Sequence, residues 1–286
     1  MTAHATATVP LAIARVRKER GRRLPRMVWV GTGIVALFVV CAVFAPLVAP
    51  ADPLAQDVLA SLQPPSWAHP LGTDSLGRDV LSRLIWASRI DLTIGFLGAV
   101  LPAIVGTILG ALAGYYGGWL DAVVMRFSDL VQAFPSYILV IALVFVLGAG
   151  PVSILVSMTV VSWVAYARLM RTEMLRVREQ DYIAAARVSG FSSARVLWRH
   201  ALPNSISQSL VYLPSDVVAA TLGLAALSFL GLGIQPPAPE WGAMIADGQT
   251  YIRAQWWLST VPGLAIVLFG LGLNLIGEGL ESWVRK

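Results

Sequence analysis

Six stretches of this chain are apolar over lengths close to those that the hydrocarbon core of a bilayer demands, and no other feature restricts its folding so strongly. A helix needs about 20 predominantly apolar residues to cross roughly 30 Å of hydrocarbon. The runs fall at 27–48, 90–113, 136–147, 151–166, 217–232 and 258–276. The third is expected to continue a helix that begins near Leu120, and the fourth follows the tight turn Gly148-Ala149-Gly150-Pro151. The fifth has a more polar lead-in from Ser205. Only 13% of the residues are charged against 57% hydrophobic, about half the charge of a soluble domain, so the polar surface cannot cover a water-facing globule. The predicted class is an all-α integral membrane protein with six transmembrane helices.

Basic residues orient these spans. Seven precede the first: Arg15, Arg17, Lys18, Arg20, Arg22, Arg23 and Arg26. Arg126 follows the second. Arg168, Arg171, Arg176, Arg178, Arg187, Arg195 and Arg199 follow the fourth, and Arg285 and Lys286 come last. Only Arg78, Arg83, Arg89 and Arg253 fall on the opposite side. The positive-inside rule then places both termini in the cytoplasm. Trp29, Trp86, Trp119, Trp256, Trp257 and Trp283 lie close to span ends, where amphipathic rings are favoured, while Trp163 lies inside a span. The layout is a basic cytoplasmic tail (1–26), a first helix (27–49) and an external segment with an amphipathic helix (50–89). A five-helix core (90–282) containing a cytoplasmic loop at 172–204 follows, then a short cytoplasmic end (283–286). The first apolar run reads as an uncleaved anchor, because its core of about 20 residues exceeds the 7–15 of a secretory signal.

Several chemistries are excluded. Lys18 and Lys286 are the only lysines, and neither sits in the G-x-x-x-x-G-K-[ST] pattern of a phosphate-binding loop, so ATP-driven work falls to a partner. Gly31, Gly33 and Ala36 fit a dinucleotide-binding spacing, but inside a lipid-spanning run. His4, His69 and His200 are scattered, so no metal site and no catalytic residue is expected. Cys41 is the only cysteine, which rules out an intrachain disulfide. The basic residues flank membrane spans and do not form the basic face that nucleic acid requires.

Two features of the spans stand out. Gly106, Gly110, Gly114 and Gly118 recur every four residues, preceded at the same spacing by Gly98 and Pro102. A face without side chains lets another helix approach closely, and the same face could line a conduit. Asp216 lies twelve residues past Asn204, about 18 Å along a helix, deep in the membrane and two residues after Pro214. Buried acids in spans mark function by default. Asp216 either faces a polar cavity or pairs with a group on a partner subunit. Arg126 and Asp129, three apart on one helical face, can form a local pair, and with Asp216 they are the candidate polar residues of a pathway or an intersubunit contact.

The loop after the fourth run is the most informative stretch. Asp181-Tyr182-Ile183-Ala184-Ala185-Ala186-Arg187-Val188-Ser189-Gly190-Phe191 predicts a helix stopped by a left-handed Gly190. Ser192 or Ser193 then caps a second helix, and Pro203 marks a boundary before the fifth span. An L-shaped pair of this kind can plug into a groove on another protein.

Residues 181–204, ending in His200-Ala201-Leu202-Pro203-Asn204, resemble the coupling loop of ABC importer permeases. The run from His69-Pro70-Leu71-Gly72-Thr73-Asp74 to Arg83 is similar to the signature that precedes span two. Leu227-Ser228-Phe229-Leu230-Gly231-Leu232-Gly233, followed by Trp241-Gly242, is similar to the one that closes span five. Asn274-Leu275-Ile276-Gly277-Glu278-Gly279-Leu280 also fits. Together, over residues 27–282, they resemble the C-type permeases of dipeptide and oligopeptide importers (DppC/OppC-like, with a MetI-like transmembrane domain). Ala184 stands where the loop carries an acid, and Leu224 where relatives often carry one.

The resemblance implies a type I ABC importer permease in a bacterial plasma (inner) membrane, one half of a pore completed by a B-type permease. Two ABC ATPase subunits or domains would bind ATP and Mg, and an extracytoplasmic peptide-binding protein would deliver cargo. Relatives of this type carry dipeptides, longer peptides, nickel chelates, glutathione or haem. The competing readings are an ion-coupled secondary transporter or channel, and an intramembrane enzyme.

Overall fold

In the computed structural model, which describes residues 25–284, the regular elements are helices, and one isolated antiparallel bridge joins Thr73 to Asp79. The basic residues from Arg15 to Arg23, with Arg285 and Lys286, lie outside the described residues. The first apolar run is α1 (Arg26–Val43) and a further turn, α2 (Ala45–Val48). They part at Phe44 because Pro46, lacking an N–H, cannot continue the ladder. Segment 50–79 is irregular apart from one 3-10 turn at Val58–Ala60. The helix expected within 50–89 proves to be the opening of α3 (Val80–Tyr116), which starts ten residues before the second apolar run. The Asp79 carboxylate sets that start, accepting the Ser82 N–H at 2.7 Å. Gly117, at φ +66°, ends the helix.

The third span departs from expectation. In place of one helix running from near Leu120, the chain forms α4 (Gly118–Gln132) and α5 (Ser136–Leu147), bent by 87° at 133–135. Pro135 is the cause: its ring disfavours the helical conformation at the residue before it. Next come α6 (Pro151–Val177), α7 (Asp181–Val188), α8 (Ser193–Val196) and a π turn at Leu197–Ala201. The remaining helices are α9 (Leu202–Ser205), α10 (Ser207–Phe229), α11 (Trp241–Gln249) and α12 (Trp257–Val284). Five of them, α1, α3, α6, α10 and α12, are long and apolar enough to cross a bilayer, and α4 with α5 makes a sixth if counted as one crossing.

Helix α3 is the central post, and α6 is its principal partner. Their contact is made by backbone. A Cβ on Gly106 would overlap the Trp163 carbonyl, and one on Gly110 would overlap that of Ala167. On Gly114 it would lie 2.8 Å from both the Arg171 carbonyl and the Met174 Cβ. Gly98 continues this face toward Met158 and Ala220. Gly118 does not belong to the stripe: the chain has turned at Gly117, and no atom lies within 4 Å of the position a Cβ would take. At α1 against α12, a Cβ on Gly31 would lie 2.5 Å from the Gly272 carbonyl, so the glycines of the rejected dinucleotide pattern include a helix contact. Gly33 meets nothing.

Gly110→Val should therefore force α3 and α6 apart, at a cost of about 2 kcal/mol or more for an overpacked contact. Gly33→Ala should be tolerated. Thermal unfolding of the purified chain in detergent checks this: the first variant should unfold several degrees lower and the second within error of the parent.

Candidate functional site

At one end of the bundle the chain leaves α6 and builds a small foot. The Gly190 N–H donates to the Arg187 carbonyl at 3.0 Å and the Phe191 N–H to the Ala186 carbonyl at 3.3 Å, closing α7 with Gly190 at φ +81°. The Ser192 hydroxyl accepts the Arg195 N–H and opens α8. On α7 the sides divide cleanly. Ile183 and Ala186 are buried among Met170, Met174 and Val177 of α6 and Val196 and Leu197 of the next turn. Asp181, Tyr182, Ala184, Ala185 and Val188 face outward, with Val188 90% exposed. Ala184, where the resemblance would place an acid, is thus on the outer surface. Arg178 donates to the Gly114 carbonyl at 3.0 Å, and Arg187 lies over the Tyr115 ring, so the foot is also tied to α3.

Beyond Gly190, the Phe191 ring stacks on His200 with centroids 5.7 Å apart, and Arg195 lies over the same ring. The Asn204 amide donates to the His200 carbonyl at 2.6 Å. Pro203 stands in the first turn of α9, at the change from the π turn to the helices that lead into α10. The helical path widens into the π turn, closed by the Leu202 N–H on the Leu197 carbonyl, and then continues through half-buried Leu202 and exposed Pro203 and Asn204 into α10. In the first turn of a helix the missing N–H of a proline is tolerated.

Farther up the bundle, α4, α5, α6 and α10 enclose a cavity of about 270 Å³, room enough for several waters. Asp216 lines it, with Gln132, Ser136, Tyr137, Ser162 and Tyr212. Tyr166 packs edge-on to Tyr212 at 5.1 Å and lies beside Asp216. The Tyr166 hydroxyl and Asp216 Oδ2 are both buried and neighbour each other, outside the geometry of a full hydrogen bond and with no other partner. A local Arg126–Asp129 pair does not form. Helix α4 turns Ser128 and Asp129 toward α6, where Arg168 donates to both at 2.8 Å, while Arg126 is exposed. Arg171 of α6 grips Asp121 of α4 with two donors, one at 2.6 Å. Leu224 is fully buried among Ile94, Val144 and Met158, in surroundings that offer a charge no partner.

The opposite end holds polar groups that sequence spacing did not single out. Asp91 is fully buried beside Glu240 and accepts the Trp241 N–H at 3.1 Å, while its Oδ1 has no partner. Glu240, also fully buried, accepts the N–H groups of Gly242 and Ala243 at 2.8 Å each and so caps α11. Asp91 was visible as an acid at the edge of an apolar run, but its partner is 150 residues away. Nearby, Asp74 accepts Arg78 Nε at 2.7 Å and lies 3.4 Å from Arg83. Asp79 meets His69 at 3.0 Å, so the stretch from His69 to Arg83 is a closed polar knot. Burial pushes the Asp247 carboxyl on α11 above its usual range, against the pull of Arg83 and Arg78. Among the described residues no group of three His, Cys, Asp or Glu side chains is placed to hold a metal ion.

The bundle of long apolar helices, with a small helical foot at one end and a polar cavity within, suits a membrane protein. Residues 106–286 match the family of binding-protein-dependent transport system inner membrane components, and the chain belongs to that family. Residues 25–65 match the N-terminal transmembrane domain of oligopeptide transport permease C. The chain is 42% identical to the di/tripeptide transport system permease protein DppC of Pseudomonas aeruginosa, over 88% of this chain and 85% of that one. It is 39% identical to the dipeptide permease DppC of Alkalihalophilus pseudofirmus, over 88% and 83%. With the glutathione transport system permease protein GsiD of Pectobacterium atrosepticum the identity is 42%, over 76% and 72%. It is accordingly an inner-membrane transport protein, as the resemblance implied.

Glu240→Ala would strand two buried N–H donors, each costing about 1–3 kcal/mol. Glu240→Gln keeps an acceptor. Thermal unfolding in detergent should show a markedly larger loss for the alanine variant than for the glutamine variant.

Proposed function

We propose that this chain is the permease subunit of an ATP-driven importer of dipeptides or short oligopeptides. It forms half of the translocation pathway, and a B-type homologous permease forms the other half. In this reading α4 and α5 together make one crossing, six spans place both termini on one side, and the basic residues make that side cytoplasmic. The foot then projects toward two ABC ATPase subunits, which bind ATP and Mg, and the opposite face receives cargo from a peptide-binding protein.

One observation carries the coupling role: α7 is fastened on one side and bare on the other. A helix anchored by Ile183 and Ala186 yet presenting Ala184, Ala185 and Val188 to solvent suits a groove in a partner. Force on it reaches α6 through Met170 and Met174. Peptide cargo is inferred from the names of the relatives, which include a glutathione permease, itself a carrier of a short peptide-like molecule.

Gly190 offers the test. No atom lies within 4 Å of its missing Cβ, so a larger residue fits spatially, but φ +81° is costly for a β-branched side chain. Gly190→Val should retain folding and lose at least about tenfold in ATP hydrolysis stimulated by the binding protein, because a tilt of α7 spoils its seating. Gly190→Asn, which tolerates the left-handed region, should keep most of that stimulation. Equal stimulation in parent and valine variant would count against the coupling role.

A further inference from the structure

Asp216 is the one charged side chain lining the cavity between α4, α5, α6 and α10, and no basic residue lines it among the described residues. Arg168, one turn along α6 from the lining residue Val164, does not line the cavity and is already engaged by Ser128 and Asp129. Asp216 is half-buried, with its Oδ2 shut off from water, and a carboxylate so placed without a counter-charge is costly; none of the described residues lining the cavity supplies one. Around it lie Tyr137 and Tyr212, whose ring faces attract cations, and the hydroxyls of Ser136 and Ser162. Small residues keep the space open: Ala165, Ala219 and Gly223 stand where larger side chains would fill it.

We infer that this cavity is a cation subsite, in which Asp216 receives the ammonium group of a peptide in transit. The inference rests on the importer reading and adds to it the chemical group recognised inside the membrane. An anion would be repelled by Asp216, and a neutral solute would leave the carboxylate uncompensated. A peptide N-terminus brings a positive charge and three donors, which the carboxylate and neighbouring hydroxyls can accept.

The test uses the assembled complex with its partner permease, ATPases and binding protein. Ser162→Cys, in a Cys41→Ser background, places a reporter thiol on the cavity wall. Its reaction with a trimethylammonium methanethiosulfonate should outpace that with a sulfonate reagent by about tenfold, after normalising each to free thiol. Asp216→Asn should bring the ratio near one, and Asp216→Glu should preserve it. Because the readout is a ratio, a general change in accessibility cancels. Uptake of labelled Ala-Ala should fall at least fivefold with asparagine and recover with glutamate.

A ratio unaffected by Asp216→Asn would overturn the subsite. So would a thiol that reacts in the isolated chain but is shielded in the empty complex, since the partner permease would then fill the cavity. If the parent complex shows no ATP-dependent Ala-Ala uptake, the importer reading fails. If the parent takes up Ala-Ala and the asparagine variant matches it, only the subsite fails.

Discussion

At Gly106, Gly110 and Gly114, α3 presents no side chain to α6, and the backbones meet where a single methyl group would crowd a carbonyl. In lipid there is no hydrophobic force to drive two apolar helices together, so such close packing must supply the association. The rest of the structure is hung from this contact. Tyr166, pressed against Gly106, has its other side toward Asp216 and Tyr212 on α10. Met174, pressed against Gly114, belongs to the cluster that holds Ile183 of the foot. One closely packed pair of helices thus carries the cavity partway along its length and the foot at its end.

This arrangement gives mechanical meaning to the proposed coupling. A foot held by buried apolar contacts, with Arg178 on the Gly114 carbonyl and Arg187 over Tyr115, cannot shift without moving α6 or breaking those contacts. Packed interiors of this kind move as bodies between discrete arrangements. Across the cavity, α4 and α5 meet at the 133–135 break, and α4 is held to α6 by Arg168 and Arg171. Arg78 of the polar knot, 3.9 Å from Asp247, and the Asp91 contact with the Trp241 N–H fasten the far end of α3 to α11.

What the sequence made legible was local. Apolar length revealed the spans, four-residue spacing revealed the glycine face, and Gly190 followed by Ser192 revealed the elbow of the foot. Each of these depends on neighbours a few residues away. One misreading came from treating a local rule as sufficient: Asp129 chose Arg168 on another helix over Arg126 on its own. The bend before α5 was hidden because both flanks are helical and only Pro135 separates them. The Asp91–Glu240–Trp241 contact joins elements 150 residues apart, beyond the reach of any periodicity.

Spin-label distance measurements on the assembled importer, free of nucleotide and trapped with ATP, test the central claim that α6 and the foot move as one body. Labels on Val188 of the foot and Val160 of α6 should keep the same separation in both states. Labels on Val188 and Leu37 of α1 should change separation by several ångströms. A Val188–Val160 distance that changes as much as the Val188–Leu37 distance would mean that the foot swings on its own, and the account would be wrong.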